Sequence, residues 1–228
     1  MDRTEKIEQR NKMSSTKLAK ISKTQKAIVA QLQQNMMVDA GDLEIPRLNV
    51  VQKTSNIDAP FGSLVIDKQF VLADPGQKIS CIPINTMKGW VEDVPFGEGD
   101  AQRAYNEADK DTLQKNSKFK ILEFAEVVLG FPQPEESETA DEAYPHIVGG
   151  KNYAIGKIYV QKGAYRFVFK KLATFLQCNP TLPLFWVNWS ITTMEKTAGM
   201  NTWFEPMLSN STSRTTEAER DWATKFVI

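Results

Sequence analysis

The sequence predicts a mainly β (α+β) chain: an antiparallel OB-like barrel or β-sandwich with an N-terminal helix and a short C-terminal helix. Three observations carry this expectation. From Leu43 onward, Pro, Gly and β-branched residues recur at short intervals, the pattern of short strands separated by turns. Tyr153, Ile155, Lys157, Tyr159 and Gln161 alternate with Ala154, Gly156, Ile158 and Val160, the two-residue period of a strand. The candidate strands also follow one another without the long helices that parallel crossovers require, so antiparallel pairing is expected.

Residues 1–42 read as a basic arm and helix. Arg3, Lys6, Arg10, Lys12, Lys17, Lys20, Lys23 and Lys26 face only Asp2, Glu5 and Glu8, and no Gly or Pro precedes Gly41. Leu18, Ile21, Ala27, Ile28 and Leu32 fall at helical spacing, which predicts an amphipathic helix over about 15–37, ended by Gly41. A β-rich domain over 43–208 follows. Its strands are expected at 47–52, 63–66, 70–72, 78–85, 88–94, 120–131, 153–162, 166–169 and 184–193. Two acidic, turn-rich insertions, 92–111 and 135–142, read as solvated loops, the first with a short helix near 101–113. The tail, 209–228, opens Ser/Thr-rich and closes in a short helix whose Ala218, Trp222 and Phe226 share one face.

Hydrophobic residues are 41% of the 228, enough to build a core, so global disorder is not expected. Twenty-eight cationic residues balance 28 acidic ones, which argues against a uniformly basic coat and leaves local patches to carry any charge argument. Cys81 and Cys178 each sit in an apolar run and read as buried free thiols. The stretch from Met1 to Lys26 is polar, with no secretory segment, and no run approaches the ~20 apolar residues of a membrane helix. The expected address is the cytoplasm (host cytoplasm if viral), with no membrane partner.

The informative segment is 151–171. It holds Lys151, Lys157, Lys162, Arg166, Lys170 and Lys171 and no acidic residue, interleaved with Tyr153, Tyr159, Tyr165, Phe167 and Phe169. Single-stranded nucleic acid calls for this pairing. Cations neutralise phosphate, and aromatic faces accept unstacked bases at roughly 1–3 kcal/mol each. On a strand, Tyr153, Lys157, Tyr159 and Gln161 share one face. The competing reading is ordinary exposed sheet, with Phe167 and Phe169 in the core. Lys88 and Trp90 join the candidate surface across the turn at Gly89, and Trp189 joins it as one of a pair with Trp186 that a strand would point to opposite sides.

Catalytic and metal motifs are not found. The one histidine, His146, sits in a loop without evident partners, and no CxxC, HExxH or GxxxxGK[ST] pattern occurs. No enzyme activity, metal or cofactor is expected.

The segment from Leu43 to Ser55 (Leu-Glu-Ile-Pro-Arg-Leu-Asn-Val-Val-Gln-Lys-Thr-Ser), followed by Phe61-Gly62-Ser63-Leu64, resembles the opening of a group of bacteriophage proteins. Those are described as single-stranded DNA-binding or replication-associated proteins. Trp189-Ser190-Ile191-Thr192-Thr193 with Gly199 and Trp203 is similar to their closing strands. The resemblance implies non-sequence-specific binding of single-stranded DNA (or RNA) in phage-type replication or recombination, with replication proteins as partners, and the basic arm is expected to contact phosphate or a neighbouring subunit of a homo-oligomer. One departure is the C-terminus. Arg220 to Ile228 is mixed in charge where such proteins commonly end in an acidic tail. The alternative expectation is a virion structural or assembly protein with a basic arm.

Overall fold

The computed structural model describes residues 44–95, 97–135 and 142–227. The arm and helix expected over 1–42, and most of the second acidic insertion, lie outside the described residues. The architecture is mainly antiparallel β with few helices. Strands β1 (Leu48–Val50), β2 (Leu64–Ile66) and β3 (Phe70–Ala73) form a three-stranded sheet in that order. A second sheet contains β4 (Ile79–Glu92), β5 (Arg103–Ala104), β6 (Ile121–Pro132), β7 (His146–Val148), β8 (Lys151–Gln161), β9 (Val187–Ala198) and β10 (Asn201–Arg214). Its order is β10-β9-β4-β6-β8-β7, with β5 beside β4, and it does not close into a barrel among the described residues. Helix α1 (Glu107–Asn116) joins β5 to β6, α2 (Lys162–Phe167) and α3 (Phe169–Cys178) follow β8, and α4 (Glu217–Thr224) follows β10.

Local chemistry accounts for the boundaries. Gly149 and Gly150 both have positive φ (57° and 83°), the backbone that a two-residue hairpin turn between β7 and β8 demands. The Asn106 side chain accepts from the Asp109 N–H to start α1. Thr216 and Glu219 form a capping box that starts α4.

Three sequence expectations need correction. The strand expected over 166–169 is helical. Lys162 takes a left-handed backbone (φ 52°) that ends β8, and beyond it Tyr165, Val168 and Leu172 are buried at helical spacing. The alternation of Arg166-Phe167-Val168-Phe169 is too short to separate the two periods. Cys178 is exposed at the end of α3, whereas Cys81 is buried and its thiol pKa is pushed up by desolvation. The Ser/Thr-rich start of the tail is strand: β10 runs on to Arg214.

The two faces of the β6–β8 pair are covered differently. On one, Ala125, Val127, Leu129, Ala154, Ile158 and Val160 pack with Leu48, Leu64 and Ile66 of the small sheet and with Tyr165, Val168 and Leu172 of the α2–α3 segment. On the other, Val128, Tyr153 and Ile155 pack with Trp222 and Ala223 of α4. Trp90, Ala104 and Leu113 make a third, smaller cluster at α1.

Among the described residues strand β10 is an edge, and side chains cover part of its outward backbone. Gln52 donates Nε2–H to the Phe204 carbonyl (2.8 Å) and accepts the Phe204 N–H (3.1 Å), so one amide side chain replaces a neighbouring strand. Pro206 presents no donor there, and Lys171 Nζ donates to the Leu208 carbonyl at 2.7 Å. Replacing Gln52 with Ala should cost about 1–3 kcal/mol in urea unfolding and raise association detected by light scattering, because both backbone groups lose their partner. An unchanged midpoint with no association would show that water serves that edge equally well.

Candidate nucleic-acid interface

Strand β8 does present Tyr153, Ile155, Lys157, Tyr159 and Gln161 on one side, but that side is divided in two. At its first half α4 lies across it: Tyr153 is 1% exposed, and its hydroxyl donates a short hydrogen bond to the Glu219 carboxylate. At its second half Tyr159 is half-buried, stacked on Phe124 with ring centroids 5.0 Å apart. Burial raises the Tyr159 phenol pKa above its ordinary value.

Most of the other aromatic candidates belong to the core. Trp90 is buried under α1, with the Lys88 and Lys110 ammonium groups 5.1 and 5.0 Å from its ring. Tyr165 stacks on Phe169 inside the α2–α3 turn, and desolvation pushes its phenol pKa up to about 12. Trp189 is buried, edge-on to Phe175, and its indole N–H has no hydrogen-bond partner among the described residues.

The cations separate into three sets that sequence spacing does not distinguish. Lys157 pairs with Glu126 at 3.1 Å, Lys88 with Glu123 at 2.5 Å and Lys162 with Asp93 at 2.8 Å. The Lys88–Glu123 and Lys162–Asp93 pairs are exposed and add little stability, whereas Glu126 is only 14% exposed. Their effect here is to balance the charge of the strand surface. Arg166, Lys170 and Lys171 instead converge on a groove of about 720 Å³ between the α2–α3 segment and the edge strand β10. Phe167, Thr174, Phe175, Trp189 and Asn210 also line it, and no carboxylate does. Lys196, reaching from β9, lies 4.9 Å from the Phe167 ring and adds a cation beside it. Lys151 is elsewhere, with Lys78, Glu219 and the hydroxyls of Ser80, Ser190, Ser211 and Ser213 around a hollow of about 390 Å³.

The groove was only partly visible in the sequence. In the sequence Arg166, Lys170 and Lys171 stand out for charge, but as part of a strand surface, and Lys196, Thr174 and Asn210 do not stand out. Helical spacing at 166, 170 and 174 was the signal that could have grouped three of these residues. Among the described residues no group of three or more His, Cys, Asp or Glu could hold a metal, and no helix is long and apolar enough to cross a membrane. Searches against protein-family models, curated proteins and solved structures find no match for the chain.

The contacts under α4 carry a pH dependence. Desolvation opposes ionisation of Glu219, but hydrogen bonds from Tyr153 and Thr216 and the charge of Lys151 outweigh it, so the carboxyl pKa lies below its ordinary value. The stability this contributes is present above the unfolded value, about 4.3, and is lost as pH falls through the folded one. His146, packed 5.7 Å from both Trp222 and Phe226, has its pKa lowered by burial, so acid below about 6.5 also favours unfolding. Thermal midpoints followed by circular dichroism should therefore fall as pH drops from neutral to acid. Glu219→Gln should flatten the lower part of that fall, and identical profiles for the two proteins would remove Glu219 from the account.

Proposed function

We propose that this protein binds single-stranded DNA without sequence preference, and that the groove between the α2–α3 segment and β10 holds the strand. The observation that carries the reading is the groove lining: Arg166, Lys170 and Lys171 together with aromatic rings and no carboxylate. Phosphates would meet the three cations. Phe167 and Phe175 offer ring surface to unpaired bases, which a duplex keeps stacked and out of reach. Contacts to phosphate and ring faces carry no base code, hence the absence of sequence preference. The protein is in this reading a binding module rather than an enzyme, needs no cofactor, and acts in phage-type replication or recombination as the resemblance implies. Self-association and contact with replication proteins are part of the same proposal. An OB-type barrel is not required, because a groove at a sheet edge supplies what the strand needs.

Fluorescence anisotropy of a labelled strand of ~30 nucleotides against an equal duplex tests it, with a tight preference for the single strand expected. Three phosphate contacts predict a log–log salt slope of about −2. Arg166→Glu with Lys170→Glu should weaken binding at least about tenfold and flatten the slope, while Lys88→Ala, a residue already paired with Glu123, should change neither. Absence of single-strand binding at low salt would overturn the proposal and favour an assembly role.

A further inference from the structure

The open end of the β8 face has features that covering the core does not explain. Phe124 is fully buried and lies across Gly89, where a side chain would come within 2.5 Å of its ring and 2.8 Å of the Ala104 carbonyl oxygen. Tyr159 stacks on Phe124, and the Arg103 guanidinium lies 5.0 Å from the Tyr159 ring and 5.7 Å from Phe124. Tyr105 meets Phe124 edge-on at 5.5 Å, yet keeps 45% of its surface exposed. Beside them, Arg47 bridges to Lys157 through the backbone, which adds a second arginine to the charge around Tyr159.

The charges here do not balance. Lys157 occupies Glu126, and among the described residues neither Arg47 nor Arg103 has a carboxylate within ion-pair distance. A guanidinium stacked on an aromatic face keeps its N–H edge available for a phosphate. An exposed phenol ring next to it is the surface on which an unpaired base stacks.

We infer that Arg47, Arg103, Tyr105 and Tyr159 form a second contact for the same single strand, a base lying on Tyr105 and its flanking phosphates on the two arginines. This rests on the reading of the chain as a single-stranded DNA-binding protein. The two contacts are close along the chain: from Tyr159 at the end of β8 to Arg166 in α2 the backbone spans at most about 25 Å. The groove lies on the Val160 side of β8 and Tyr159 on the other, so a strand held in the groove reaches this contact by passing round the end of the sheet, whereas a very short one fills the groove alone.

The experiment compares full-length native protein, Tyr105→Ala, Tyr105→Phe and Arg103→Ala, with thermal midpoints recorded to confirm folding. Binding is read by anisotropy on a long (~30-nucleotide) and a short (~6-nucleotide) strand. Iododeoxyuridine-substituted strands are cross-linked in parallel and the modified peptides mapped. The expected result is a roughly five- to hundredfold loss for Tyr105→Ala on the long strand, retention by Tyr105→Phe, little change on the short strand, and cross-links at Tyr105 or Tyr159. Arg103→Ala should weaken long-strand binding and flatten its salt dependence. If Tyr105→Ala binds both strands like the native protein and no cross-link maps to this end, while the Arg166→Glu and Lys170→Glu pair still weakens binding, the second contact is overturned and the groove stands. If the native protein binds no single strand, both fall.

Discussion

The middle of the β6–β8 pair is apolar on both faces, and the placement of much of the molecule follows from having to cover them. Ala125, Val127, Leu129, Ala154, Ile158 and Val160 face one way; Val128, Tyr153 and Ile155 face the other. A sheet with water on one side needs one cover, but this one needs two. The small β1–β3 sheet and the α2–α3 segment supply the first and α4 the second. Gly130 shows how close the second cover comes: a side chain there would lie 2.6 Å from the Trp222 ring. Because α4 reaches only half of that face, the remaining half stays open around Tyr159.

That arrangement also decides which charged groups remain available. On the strand surface, neighbouring rows place Glu126 within reach of Lys157, and Glu123 within reach of Lys88. Such cross-strand pairs arise readily from sheet spacing and leave little net field. Past Lys162 the backbone turns into helix and approaches β10, which presents Ser209 and Asn210 to the groove where carboxylates would otherwise neutralise it. Lys171 serves the fold there as well as the charge, since it holds the Leu208 carbonyl of the edge strand. The groove thus combines a guarded sheet edge with a cationic helix face.

Long-range pairing explains why the groove was harder to read than the strands. Alternation at 153–161 identified β8 and the side chains that share its faces, and the helical face of Ala218, Trp222 and Phe226 identified the closing helix. Both are local periods, legible within a dozen residues. The run at 166–169 misled because four alternating residues fit either period, and the helical pattern emerges only when residues up to 175 are included. Arg47 and the neighbouring Arg103 and Tyr105 do not stand out as a group in the sequence, because Arg47, the 103–105 segment and Tyr159 are far apart along the chain.

The amino-acid sequence by itself determined the β-rich class, antiparallel connectivity, the main strand periods, the C-terminal helix and the concentration of cations without acids at 151–171. Those properties depend on neighbouring residues and on composition. Tertiary structure alone decided that Trp90, Tyr153, Tyr165 and Trp189 are buried, that Lys88, Lys157 and Lys162 are paired, and that Arg166, Lys170 and Lys171 share a groove. The physical reason is that burial and ion pairing depend on which strands become neighbours. Here Lys162 meets Asp93, and Gln52 meets Phe204, across separations that no local period encodes.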